Sequence, residues 1–418
     1  MDFVKEALRQ NVHWETGKIL IPRLNGPLVE REAFSVLKKA AGKKFITAVL
    51  GLRRVGKSVL AKEFMAGALG KGGKPADVAW FEFDRAMKAD ESSLDSIISF
   101  FEARNAKTII LDEVQLVAGW QDVLKRFYDR TDLKFIVTGS SALEMDKRSA
   151  ESLAGRLELV FVKPFSLKEF LMIREKKPPL TQLDFARKSE EMLLECDEYL
   201  RIGGMPEAIR MKSTEERRAY ANNSLLDPLF YKDLPAVFPQ ANPDMLRKTL
   251  ELLCATAGST FQYQTIAQVL GCNHPTASLQ VELLEKALLA RVVYNRTASV
   301  VKQKRTEKKI AIADNGILAA LRTDVSMGVL AENAVANTVE NARFWRDNQG
   351  REVDFLNPAK KLAVEVKYQE HVTTTDEKHL RYFLERNKGW KAIMVTKNSE
   401  EKSDIEHTPL WKWMLENS

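Results

Sequence analysis

The chain has 418 residues, 45% of them hydrophobic, and its 64 Lys and Arg outnumber 57 Asp and Glu for a net charge of +7. That length accommodates two or three domains with an ordinary globular composition. The longest apolar runs are of strand length, which excludes a membrane-spanning helix, and the three cysteines have no metal-ligand spacing and cannot all pair, so buried thiols are expected. No basic-then-apolar leader opens the chain, so a cytoplasmic protein is expected. The positive charge is compatible with a nucleic-acid partner without requiring one.

Residues 1–40 read as an N-terminal arm containing Trp14, Pro22 and Pro27 and ending in a short helix. Strand and helix then alternate, which predicts a parallel sheet. The first strand, near Phe45–Leu50, runs into Gly-Leu-Arg-Arg-Val-Gly-Lys-Ser at Gly51–Ser58, a full G-x-x-x-x-G-K-[ST] motif followed by a helical pattern. Strand, glycine loop and helix N-terminus together cradle phosphates with backbone N–H groups and a helix dipole. The expected cradle is Gly51, Arg53, Arg54, Val55, Gly56, Lys57, Ser58 and Val59. Lys57 would reach the β- and γ-phosphates of a nucleoside triphosphate, and Ser58 would ligate Mg²⁺.

Farther along, Thr108–Glu113 is an apolar strand ending in two carboxylates, a Walker B pattern. Asp112 is expected on the Mg²⁺ and Glu113 on the attacking water. The strand Phe135–Thr138 leads into Gly139-Ser140-Ser141, where Ser140 is expected to sense the γ-phosphate, and Arg156 before the next strand is a candidate arginine finger or sensor.

From about Glu190 to Val293 the pattern turns helical. A short helix ends at Gly271, Asn273 caps a second with Pro275 in its first turn, and Arg291–Tyr294 follows as a strand. This order suggests a winged helix, and Arg291, Arg296, Lys302, Lys304, Arg305, Lys308 and Lys309 suggest a wing that contacts phosphates. The second helix lacks arginine, so the favoured reading is a structural winged helix with some nonspecific DNA affinity from the basic stretch.

In the last part, strands Glu352–Phe355 and Leu362–Lys367 put Glu352 with Asp354, and Glu365 with Lys367, on common faces. Asp354, ten intervening residues, then Glu365-x-Lys367 is similar to the catalytic pattern of restriction-type nucleases. Asp354 and Glu365 would bind Mg²⁺, with Glu332 at the edge, while Lys367 would stabilise charge or orient water. The same alternation describes any amphipathic strand, so a retained fold that only binds a partner stands beside the nuclease.

Taken together, GLRRVGKS, LDEVQ, TGSS, AGR, Lys163-Pro164-Phe165-Ser166, Gly203-Gly204-Met205-Pro206-Glu207, Asp314-Asn315-Gly316, EVDF and EVK resemble bacterial and archaeal AAA-type ATPases of the extended signal-transducing branch. The resemblance implies an α/β fold with a P-loop AAA-type core on a parallel sheet, a helical and winged-helix middle, and a C-terminal α/β restriction-endonuclease-like domain of unknown function. It divides the chain into the arm at 1–40, the ATPase core at 41–175, a helical lid or linker at 176–245, the winged helix at 246–300 and the terminal domain at 301–418. ATP and Mg²⁺ are the implied cofactors. Two functions follow: an ATPase acting on DNA, as an ATP-gated nuclease, or a nucleotide-dependent signalling switch with a silent terminal module that binds protein or DNA. A homo-oligomer is compatible with both, and no membrane partner is expected.

Overall fold

The computed structural model describes residues 2–21, 29–70, 72–84, 87–139, 153–179, 181–296, 307–401 and 404–417. They form two compact units, Met1–Lys163 with Ala236–Pro239, and Pro164–Pro235 with Gln240–Ser418. No helix among the described residues is long and apolar enough to cross a membrane.

The first unit is built on five strands: β1 (Ile46–Gly51), β2 (Val78–Glu82), β3 (Thr108–Asp112), β4 (Lys134–Gly139) and β5 (Leu157–Val162). They pair in the order β2-β3-β4-β1-β5, every pair parallel. All six residues of β1 are buried, as befits a central strand covered on both faces. The helix Glu91–Ala103 buries Leu94, Ile97, Ile98 and Phe101, a helical stripe that joins Phe81, Ile109 and Phe135 in the core. The parallel α/β core expected from alternation is therefore present.

The N-terminal arm solves an edge problem. β2 is an outer strand, and its outward backbone groups would template pairing with another chain. Consecutive side-chain amides cover them. Asn11 donates to the Trp80 carbonyl and accepts from the Trp80 N–H, both at 2.7 Å, and Gln10 does the same at Glu82, at 3.2 and 2.7 Å. Trp14 Nε1 donates to the Val78 carbonyl at 3.0 Å.

The second unit holds a mixed sheet of seven strands: β6 (Ala290–Asn295), β7 (Lys308–Ile312), β8 (Arg343–Arg346), β9 (Glu352–Asn357), β10 (Leu362–Lys367), β11 (Lys391–Thr396) and β12 (Glu406–Pro409). Their order is β12-β11-β10-β9-β8-β6-β7. The helices Tyr263–Leu270 and His274–Lys286 form as expected, with Gly271 left-handed at φ 63° and Asn273 capping the Thr276 N–H at 2.9 Å. β6 and β7 make an antiparallel hairpin after these helices, yet β6 also pairs with β8. The segments on either side of residue 300 thus share one sheet.

The charged stretch behind the supposed wing departs from expectation. Lys308 and Lys309 lie within β7, only 2% and 3% exposed, rather than facing solvent. Arg291 is half-buried, with its guanidinium on the Ala336 carbonyl, and Arg296 stacks 4.8 Å from the Trp390 ring centroid. All five positions of β7 are buried, so burial of the whole strand in the sheet overrides what a run of like charge suggests. Lys302, Lys304 and Arg305 lie outside the described residues.

Two of the motifs singled out by resemblance meet in a buried polar junction. Asp314 caps the helix Asn315–Leu321 through the Gly316 and Ile317 N–H groups, and its second oxygen accepts from the Gly204 N–H at 2.6 Å. Asn315 Nδ2 donates to the Leu200 and Leu330 carbonyls at 3.1 and 3.0 Å. A Cβ at Gly204 would sit 2.2 Å from the Phe165 carbonyl oxygen. These motifs hold helix ends and a turn together.

Candidate active site

In a parallel sheet the C-terminal strand ends share one edge, the usual place for ligands. Here that edge carries Gly51 from β1, Asp112 from β3 and Gly139 from β4. The loop after β1 turns through left-handed conformations at Arg54 (φ 61°) and Gly56 (φ 101°), and the helix Lys57–Gly70 begins immediately. Glycine adopts such a φ freely, whereas at Arg54 it marks local strain next to a ligand edge. Lys57 is buried, with Nζ donating to the Gly51 and Leu52 carbonyls at 3.1 and 3.0 Å. Its ammonium therefore lies over the loop.

Ser58 Oγ donates to Asp112 Oδ1 at 3.0 Å, and the Thr138 hydroxyl donates to the same oxygen. The Glu113 N–H in turn donates to Thr138 Oγ1 at 3.3 Å. Burial raises the Asp112 pKa to about 6, against the hydrogen bonds from Thr138 and Ser58 that favour its charge, and the charges of Glu113 and Glu82 add to the rise. Glu113 has φ 55°, and its carboxylate accepts from the Gln115 side-chain amide. Oxygens of Ser58 and Asp112 side by side, one of them a carboxylate, suit a hard divalent cation such as Mg²⁺.

Arg31 belongs to the arm and was not anticipated. Nη1 donates to the Val55 carbonyl of the loop at 2.9 Å, and Nη2 to the Lys163 carbonyl at 2.6 Å. Arg31 is buried, 7% exposed, and its guanidinium joins the loop to the end of β5. Arg31→Ala is expected to raise the ATP Kd about tenfold, the equivalent of one charge-assisted hydrogen bond. An unchanged Kd by equilibrium titration would mean that the loop keeps its shape without Arg31.

The sheet of the second unit carries a separate cluster. Lys309 Nζ lies 2.9 Å from Glu332, 2.6 Å from Glu352 and 2.7 Å from Asp354. Lys367 Nζ lies 3.0 Å from Glu365 Oε1. Asp354 accepts from the Val366 N–H at 2.9 Å, and Glu365 from the Asp354 N–H at 3.3 Å. Burial opposes the Lys309 charge, but Asp354, Glu332 and Glu352 outweigh it and hold its pKa well above the usual lysine value. Burial, then the charge of Asp354, pushes Glu365 up to about 8. Among the described residues no group of three or more His, Cys, Asp or Glu is disposed to hold a metal ion.

Residues 43–171 match a family model described as an AAA domain. This part of the chain is therefore similar to an AAA domain. Residues 194–328 and 325–413 match two models described as domains of unknown function, DUF8612 and DUF4143. The chain is 27% identical over 413 residues to an uncharacterized protein of Methanocaldococcus jannaschii, covering 89% of this chain and 85% of that protein. A second uncharacterized protein of that organism is 25% identical over 367 residues, covering 80% of this chain and 81% of its own length. Among solved structures, the Aeropyrum pernix ORC1 protein in complex with DNA covers 73% of this chain and 94% of its own at 14% identity. Its TM-score of 0.30 is too low to bear on function or fold.

The cradle residues from Gly51 to Val59 run from the last residue of β1 into the first turn of its helix, and Asp112 and Glu113 lie at the same edge. Ser140 lies outside the described residues, and Thr138 is the β4 side chain that touches Asp112. The β3–β4 register, with Leu111 beside Val137, sets Thr138 next to Asp112, and that pairing is not readable from the sequence alone. Arg156 is not brought to the cradle. β1 and β5 run parallel with Ile46 beside Leu157 and Gly51 beside Val162, so Arg156 stands at the opposite end of the sheet, roughly 20 Å away at strand rise. It pairs there with Asp129 at 3.0 Å. A sensor role within its own subunit is thereby corrected. In the second unit, Glu332, Asp354, Glu365 and Lys367 do come together, and Glu352 and Lys309 join them.

Proposed function

We propose that the chain is a Mg²⁺-dependent ATP hydrolase working as a nucleotide-driven switch, with the C-terminal sheet serving to bind a partner. The observation that carries this reading is the shared hydrogen-bond chain Ser58–Asp112–Thr138–Glu113 beside the buried Lys57. In the reading, the loop N–H groups and the helix N-terminus take the phosphates, and Lys57 exchanges its carbonyl contacts for the β- and γ-phosphates. Ser58 and Asp112 would hold Mg²⁺, which neutralises charge on the phosphate oxygens. Glu113 orients the attacking water, and its hold on Gln115 has to break first. Preference for ATP rests on the family resemblance.

The second reading, an ATP-gated nuclease acting on DNA, draws on the net charge of +7 and on the assembled Asp354, Glu365 and Lys367. Burial of Lys308 and Lys309 takes two cations from its DNA surface. ATP turnover measured with and without single- and double-stranded DNA, beside a cleavage assay in Mg²⁺ or Mn²⁺, separates the two. Protein that hydrolyses ATP and cuts nothing supports the switch; cleavage lost in Asp354→Ala supports the nuclease. No ATP hydrolysis under any condition would sink both.

Self-association enters through Arg156. From its end of the sheet it can meet a nucleotide only in a neighbouring subunit. If it does, specific activity rises with protein concentration, and Arg156→Ala lowers kcat by about 10³ with little change in KM. Concentration-independent turnover, with Arg156→Ala close to wild type, would reduce Arg156 to the partner of Asp129.

A further inference from the structure

We propose that the Lys309 ammonium is a built-in cation that fills the position a divalent metal would take among Glu332, Glu352 and Asp354, making the nuclease-like site of the C-terminal sheet a closed, metal-free centre. The inference is independent of ATP hydrolysis, which belongs to the other unit. An ammonium has three N–H donors, and three carboxylates lie at 2.6–2.9 Å from this one, so its hydrogen-bonding capacity is spent on them. Those carboxylates come from the helix Met327–Thr338 and from β9, whereas Lys309 comes from β7.

β6 and β8 intervene between β7 and β9, a separation of roughly 14 Å in a flat sheet. The sheet must therefore curl for Lys309 to reach Asp354, and the reach is fixed by the backbone pairing of Lys309 with Val293. Phe344 and Phe355 wall the ammonium at 5.9 and 5.6 Å from their ring centroids. A metal ion entering here would have to displace a tethered and buried charge of its own sign. Repulsion between like charges at ~4 Å in such surroundings is several times that in bulk water. Carboxylates arranged in this way do not fit a resident Mg²⁺, although Asp354 and Glu365 follow the spacing of a metal-dependent nuclease.

The test is the number of Mn²⁺ ions bound per chain, counted by electron paramagnetic resonance on full-length, nucleotide-free protein. In wild type, Asp354→Asn should leave the count unchanged. Lys309→Ala should bind one more Mn²⁺ than wild type, and Lys309→Ala with Asp354→Asn should lose it again. Saturating Mn²⁺ should also raise the melting temperature of Lys309→Ala by about 5 °C and leave wild type unmoved. A fall in the wild-type count on Asp354→Asn would overturn the proposal even if Lys309→Ala fails to fold. So would a folded Lys309→Ala that gains no ion. ATP turnover by the same preparations is a separate readout, so failure here leaves the ATPase reading standing.

Discussion

Glu113→Gln protein is expected to bind ATP with a Kd within about threefold of wild type while its turnover falls about 10²- to 10⁴-fold, the range for a positioned general base. The Glu113 backbone N–H, rather than its carboxylate, joins the hydrogen-bond chain through Thr138. Glutamine keeps size and hydrogen bonding but cannot polarise water, so the loss should fall on kcat. Lys57→Ala is expected to show the opposite pattern, with binding lost, because the cradle then lacks its only side-chain ammonium. Full turnover by purified Glu113→Gln would remove Glu113 from the chemistry.

The second large effect concerns folding. Gly204→Ala should destabilise the protein by about 3 kcal/mol, read as a lower urea midpoint. The added methyl would meet the Phe165 carbonyl oxygen at 2.2 Å, a main-chain atom that cannot rotate away. Any shift of the turn also withdraws the Gly204 N–H from Asp314, a fully buried carboxylate whose pKa burial raises to about 6. That would leave a polar group short of a partner. An unchanged midpoint would mean that the junction is plastic and that the Gly203-Gly204 and Asp314-Asn315-Gly316 motifs serve something other than packing.

The sequence carried the phosphate edge well because its signals are local. A strand, a glycine loop and a helix follow one another within Ile46–Gly70, and backbone geometry does the rest. The caps at Gly271 and Asn273 were legible for the same reason. What escaped depends on register and on distant pairing. Thr138 neighbours Asp112 because β4 pairs with β3 in a register that sets Leu111 beside Val137. Arg156 reads as a residue near the site until the β5 pairing puts it at the far end of the sheet. Lys309 reads as one more charge in a basic run, since nothing in its neighbours announces a partner forty-five positions away. Arg31 gave no signal at all, being a lone arginine in an arm without a motif.

The amides of Gln10 and Asn11 have a practical bearing on how the protein can be handled. By imitating a sixth strand without being one, they turn the border of the first sheet from an open zipper into a finished hem. A version trimmed to begin at the first strand would retain every residue of the phosphate loop and still present raw backbone at Trp80 and Glu82. Such a fragment would recruit its own copies edge to edge, and a gain in oligomer size on trimming would then reflect an unstitched border rather than a native assembly.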